Sequence, residues 1–208
     1  MTIPGDEMFN YSANRELESS AKVKALEALL IEKGVISSSS VDKILDYFET
    51  KMGPFNGAKL VAKAWKDAEF KSLLLKDCNA ACEKLDMPTG MSGAEGEIMR
   101  VAENTSSVHN LIICTLCSCY PWPTLGLPPY WFKDPTFRAR SAREPRVVLS
   151  EFGLDLDPEV EIRVWDSSGQ IRWWVLPEQP SGTDHMTEEE LASLITPESM
   201  MGVSKVVF

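Results

Sequence analysis

The sequence predicts an α+β protein, with a helical N-terminal arm followed by a mixed α/β layered domain. Three observations carry that expectation. Apolar residues recur at helical spacing through the first third of the chain. Short apolar and alternating runs of strand type begin only in the nineties. Three of the five cysteines then fall within six residues, Cys114 to Cys119, at the end of one such run. Helices first and strands later is the order of α+β chains. The expected division is an arm at residues 1–88 and a loop-bearing domain at 89–208.

From 12 to 33, Val23, Leu26, Leu29 and Leu30 form one stripe, and Gly34 stands where a glycine ends a helix. Ser40 is the expected cap of a second helix with Val41, Ile44, Leu45 and Phe48 on one face, ended by Gly53-Pro54. Two shorter helices, near 58–66 and 69–84, carry Leu60, Val61, Phe70 and Leu74. Segments 98–102 and 111–114 read as buried strands. Prolines at 121, 123, 128, 129 and 135 predict mostly irregular backbone up to 145. A short helix is expected at 146–152. Segments 161–165 and 171–176 flank Ser168-Gly169 as a hairpin. Thr187-Glu188-Glu189-Glu190 matches a capping box before a helix ending near Ile195, and 203–208 is expected to close a sheet edge. With the first strand so late, the N-terminal stripes are buried either by ordinary packing or by gripping a partner.

With 21 basic and 31 acidic residues the formal charge is −10, which argues against nucleic acid or an anionic membrane as the main partner. The N-terminus lacks the basic-then-apolar layout of a secretory signal, and no apolar run approaches the roughly 18 residues of a membrane span. A cytoplasmic, reducing location is the expectation. There structural disulfides are disfavoured, and metal or catalytic roles for cysteine gain weight.

The loop Cys114-Thr115-Leu116-Cys117-Ser118-Cys119 has the pattern C-x-x-C-x-C. Thiolates are soft, strongly donating ligands. A turn this tight also brings its peptide nitrogens near the ion, above all those of Ser118 and Cys119. Zinc would want a fourth side chain, for which His109 is the candidate. An iron–sulfur site would need Cys78 or Cys82, which stand four apart on an expected helix and read better as small buried hydrophobes. A thioredoxin-like site would need a helix after the first cysteines, which Pro121 and Pro123 oppose.

C-T-L-C-S-C continues as Tyr120-Pro121-Trp122-Pro123 and then Leu125-Gly126-Leu127-Pro128-Pro129. This run resembles the metal-binding signature of nitrile hydratase α subunits. Glu103-Asn104-Thr105, Val108-His109-Asn110, Arg143-Glu144-Pro145-Arg146, Glu151-Phe152-Gly153 and Glu161 through Ser167 also read like that family. The resemblance spans roughly residues 15 to 204.

The resemblance implies one trivalent ion held by the sulfurs of Cys114, Cys117 and Cys119 and by the deprotonated amide nitrogens of Ser118 and Cys119. Cys117 would be oxidised to a sulfinic acid and Cys119 to a sulfenic acid. Thr115 in the second loop position is similar to the cobalt class, so Co(3+) is expected, with Fe(3+) as the alternative. The implied reaction adds water to R–C≡N to give R–CO–NH₂, with the ion acting as Lewis acid or water activator, or with the Cys119 sulfenate oxygen as nucleophile. Cys119, Ser118 and Trp122 are the expected catalytic-site residues, Trp122 as an apolar pocket wall. The implied partners are a β subunit, in an αβ or α₂β₂ assembly, and an activator protein that delivers the metal. Arg138, Arg140, Arg143 and Arg146 are read as a solvated basic stretch, with interface or structural ion pairs as the alternative. Glu95 stands where relatives carry Gln, a change of charge if the position lies near the site. The nearest rival is the metal subunit of thiocyanate hydrolase, whose signature has Arg where this chain has Trp122. A rival from another class is a non-catalytic thiolate protein for metal storage or redox sensing, which would not need the 121–129 segment.

Overall fold

The computed structural model describes residues 13–90, 97–116 and 119–208, and the chain is α+β. Helix α1 (Ala13–Glu32) ends at Gly34, whose φ of +68° fits the expected glycine terminator. Helix α2 spans Ser38–Thr50. Its cap is Ser37 and not Ser40. In the serine run 37–40 the first hydroxyl accepts from the Ser40 N–H at 3.2 Å, which makes Ser40 the capped residue. Most of both stripes faces outward: Val23, Leu26, Leu29, Ile44 and Leu45 are exposed, while Leu30, Val41 and Phe48 are half-buried.

Gly53-Pro54 both ends α2 and begins α3 (Pro54–Lys66), with Pro54 in the first turn, where it has no hydrogen bond to lose. The expected single helix over 69–84 is two, α4 (Ala68–Lys76) and α5 (Cys78–Glu83). It breaks at Asp77, which adopts extended backbone so that its carboxylate caps the Ala80 N–H at 3.0 Å. Leu60, Val61, Phe70, Leu74 and Cys82 of these helices are buried in the same core as Met99, Leu111 and Trp174.

Strands β1 (Ile98–Glu103), β2 (Val108–Ile113), β3 (Glu161–Asp166) and β4 (Ile171–Leu176) form two parallel pairs, β1 with β4 and β2 with β3. The hairpin expected about Ser168-Gly169 is therefore absent, and β3 and β4 belong to different sheets. Alternation identified the strands but says nothing of their partners. Ser167 sets the divergence: its N–H donates to Ile113 O at 2.8 Å, prolonging the β2–β3 ladder, while its hydroxyl accepts from the Trp173 N–H at 3.0 Å. Trp165 and Trp173 stack across this corner with centroids 4.2 Å apart.

The proline-rich stretch is more regular than expected. It holds α6 (Trp122–Leu125), α7 (Tyr130–Lys133) and α8 (Pro135–Ser141), followed by α9 (Pro145–Glu151). Proline at a first turn lacks only an N–H that would have been unpaired anyway. Trp131 is fully buried, with Phe137 and Phe152 edge-on at 4.9 and 4.8 Å. Each such ring contributes about 2–3 kcal/mol of burial. Helix α10 (Glu188–Leu194) has the expected capping box between Thr187 and Glu190, and a second box starts α11 (Pro197–Met201). Residues 203–208 form no strand: Val203 is buried but Val207 and Phe208 project into solvent. Among the described residues no helix is long and apolar enough to cross a membrane.

Candidate metal centre

The cysteine loop begins where β2 ends. Five consecutive β2 residues, His109 to Ile113, are buried, and Cys114 continues them at 0% exposure. Ile113 pairs in register with Asp166, the last residue of β3, so the Asp166 side chain reaches the first loop residue. Its carboxylate accepts from the Thr115 N–H at 2.9 Å and from the Thr115 hydroxyl at 2.5 Å. Leu116 then points outward, 89% exposed. Cys117 and Ser118 lie outside the described residues, as does Glu95.

The chain re-enters the fold at Cys119, which is half-buried, and is fastened at Tyr120. The Tyr120 ring is 2% exposed, packs edge-on against Phe132 at 5.2 Å, and sets its hydroxyl 3.3 Å from the Met201 sulfur. Burial, with Glu198 adding to it, pushes this phenol far above its ordinary range, so it stays neutral. Next comes α6, whose backbone is held from α3. Asn56 Nδ2 donates to Pro123 O at 2.9 Å and to Lys51 O at 2.8 Å. Gly57 lets α6 approach: a Cβ there would lie 2.5 Å from Thr124 O. The chain thus has a fixed point on either side of the loop, a strand end and a buried tyrosine. Trp122, half-buried, meets Phe48 from α2 in a T-shaped pair with centroids 5.5 Å apart.

Other sequence candidates are placed elsewhere. His109 sits at the opposite end of β2 from Cys114, about 17 Å away at about 3.3 Å per residue. Both its nitrogens are engaged, Nδ1 with the Asn104 amide at 3.2 Å and Nε2 with Gly202 O at 2.7 Å. Asn104 Oδ1 in turn accepts from both the backbone and side-chain N–H of Asn110. The histidine is a member of a buried network, not a fourth ligand. Burial lowers its pKa, the Gly202 carbonyl opposes this, and Lys205 adds to the lowering. Cys78 and Cys82 are buried in α5 as expected, and burial pushes the Cys78 thiol well up, away from thiolate character.

Arg140 and Arg146 are structural. Arg140 bridges Glu144 and Glu151 at 2.6 Å each, and Arg146 donates to the carbonyls of Leu156, Asp157 and Val160. Sequence reasoning did not single out Asp166, Asn56, Gly57 or Phe48 as parts of the site. Each acts through an element remote in sequence, and only the position of Asp166 at a strand end offered a signal.

Cys114 and Cys119 bring soft donors to the two anchored ends of the loop, a donor type that fits a thiophilic ion. The Thr115 amide is committed to Asp166 and is not available as a backbone nitrogen donor.

Comparison with known proteins bears on the identity of this centre. Residues 17–204 match the family described as nitrile hydratase, alpha chain. The low-molecular weight cobalt-containing nitrile hydratase subunit alpha of Rhodococcus rhodochrous is 54% identical over 187 residues, 90% of this chain and 88% of the relative. The thiocyanate hydrolase subunit gamma of Thiobacillus thioparus is 41% identical over 187 residues, covering 86% of this chain and 76% of that one. Among solved structures, a double mutant of the Fe-type nitrile hydratase from Comamonas testosteroni Ni1 superposes with a TM-score of 0.83 at 40% identity, covering 94% of this chain and 92% of the other. A match from residue 17 to residue 204, joined to a relative sharing more than half its residues, places this chain in the nitrile hydratase α-chain family.

Proposed function

We propose that the chain is the metal-bearing subunit of a cobalt nitrile hydratase, adding water to R–C≡N to give R–CO–NH₂. The observation that carries this reading is the loop itself, held at Thr115 by Asp166 and at Tyr120 by the core, with cysteines at both ends. In this reading the sulfurs of Cys114, Cys117 and Cys119 and the amide nitrogens of Ser118 and Cys119 hold one Co(3+). Thr115 and the cobalt-containing relative favour cobalt over Fe(3+). When bound, the ion supplies Lewis acidity toward nitrile or water.

The chain's own residues then divide the work. Cys119, as its sulfenic acid, presents a nucleophilic oxygen, and Cys117 as its sulfinate adds negative charge. Ser118 donates a hydrogen bond beside them, and Trp122 offers an apolar face to the R group. An anionic loop of this kind needs cations that stay paired with it. Arg140 and Arg146 are committed within this chain, so a β subunit is assigned that role, in an αβ or α₂β₂ assembly. The exposed stripes of α1 and α2, within the 1–88 segment, suit such a partner. Residues 89–208 carry the site. An activator protein is proposed for metal delivery, and a cytoplasmic location suits free thiols before loading.

Partner-bound protein tests this directly. Elemental analysis should find about one cobalt per chain, and mass spectrometry of the 114–119 peptide should find oxygen added to Cys117 and Cys119. The loaded enzyme should hydrate a small nitrile and leave thiocyanate untouched, since Trp122 offers an anion nothing. Zinc in a four-ligand site, or no metal, overturns the assignment. Turnover of thiocyanate instead moves it to the hydrolase branch.

A further inference from the structure

Trp122 has a fixed backbone and a half-free ring. Its helix, α6, is held by Asn56 through Pro123 O and seated tightly on Gly57. The peptide of Trp122 is also tied by its own N–H to Tyr120 O at 3.0 Å and by its carbonyl to the Gly126 N–H at 2.9 Å. These bonds fix where the side chain starts but not how the indole is turned. The ring meets Phe48 edge-on, centroids 5.5 Å apart and planes 63° apart. Phe48 comes from α2, none of whose residues is buried. Ile44 and Leu45 of that helix are exposed, and Val41 and Tyr47 are half-buried. The contact therefore joins the site to a peripheral helix through one aromatic pair.

We propose that Phe48 is a positioning residue for substrate selection, holding the half-buried Trp122 indole in the orientation that accepts aromatic nitriles. The inference rests on the hydration reading above and adds to it a residue 66 positions before the first cysteine of the loop. Edge-to-face pairing is geometrically selective, so losing it frees the indole to turn. A flat aromatic substrate feels that loss more than a small aliphatic one, because it needs the wall along its whole ring.

The test uses the cobalt-loaded complex with its partner subunit, comparing benzonitrile with acetonitrile. Phe48→Ala and Phe48→Leu should each lower the benzonitrile-to-acetonitrile ratio of kcat/KM by about three- to tenfold, the effect of one aromatic pair. The change should lie in KM for benzonitrile, and Phe48→Tyr should restore the ratio. Calorimetry should show benzamide binding weakened by a similar factor, with cobalt content unchanged. The leucine variant keeps bulk at the helix surface and guards against misfolding of the alanine variant. An unchanged ratio, or an equal fall for both nitriles, overturns the proposal while leaving the hydration reading intact. Wild-type enzyme inactive on both nitriles overturns the hydration reading, and this proposal with it.

Discussion

Asp166 accepts two hydrogen bonds from one residue, taking both the backbone N–H and the hydroxyl of Thr115. The second loop residue is thereby fixed in backbone and in rotamer, by a strand that enters the fold about fifty residues later. Asp166→Ala should cost about 1–2 kcal/mol in urea unfolding, and Thr115→Val about 1 kcal/mol, since both groups are exposed and water replaces the lost partner. Cobalt content should respond more strongly than stability in Asp166→Ala, because the loop loses its first anchor. Full cobalt loading in that variant would show the clamp to be incidental to the site.

The glycines offer a graded series. Gly153 has φ +81° and open space around it, so Gly153→Ala should cost only the backbone strain, about 1–2 kcal/mol. At Gly57 an added Cβ meets Thr124 O at 2.5 Å and the Met200 sulfur at 2.6 Å. The methionine can yield but the α6 carbonyl cannot, so Gly57→Ala should cost about 2–3 kcal/mol and shift Trp122. Gly202 combines φ +82° with an added Cβ 1.8 Å from Asn110 O. Gly202→Ala should exceed about 4 kcal/mol and be seen as loss of soluble protein. Equal stability of the three variants in denaturant would refute this ordering.

His109 makes stability depend on pH with a defined sign. Its pKa in the folded chain lies below the ordinary value of 6.5, chiefly through burial. Between the two values the unfolded chain binds more protons, so stability rises with pH there. It should be lost as pH falls from about 6.5 through the depressed folded value. The proton would enter at Nδ1, opposite the Asn104 amide, whose Oδ1 already accepts from Asn110. Replacing His109 with Gln should flatten the dependence of unfolding free energy on pH in that window. An unchanged slope would show that another group titrates.

Cys78 and Cys82 serve as a control on the metal assignment. Both are buried in α5, and the Cys78 thiol is held protonated. Each changed singly to Ala should cost about 1 kcal/mol, the loss of one small buried group. Cobalt content of the partner-bound protein should not move. Loss of metal in either variant would bring back the iron–sulfur reading, in which Cys78 or Cys82 joins the loop cysteines.

The helices of the first third, α9 and α10 were legible because amphipathic spacing, caps and breakers are local, whereas α6 to α8 fall in a stretch whose prolines read as irregular backbone. Gly34 and the Thr187 box behave as their residue types require. Errors arose where two local readings competed, as in the run 37–40, where any serine could cap, or at Asp77, whose carboxylate splits a periodic run. The cysteine cluster, too, was visible at once, since ligand density within six residues needs no knowledge of the fold.

By itself the sequence determined the helical first third, four strand segments alongside a fifth at 203–208 that does not form, the thiol loop and the family. These depend on residue type and short-range spacing. Only the tertiary structure decided that β3 and β4 part company to pair with β2 and β1, that Asp166 reaches Thr115, that His109 belongs to a buried network, and that Phe48 lies on Trp122. Each of these joins segments far apart in the chain, where the choice among partners is made by the summed burial and hydrogen bonding of the whole fold.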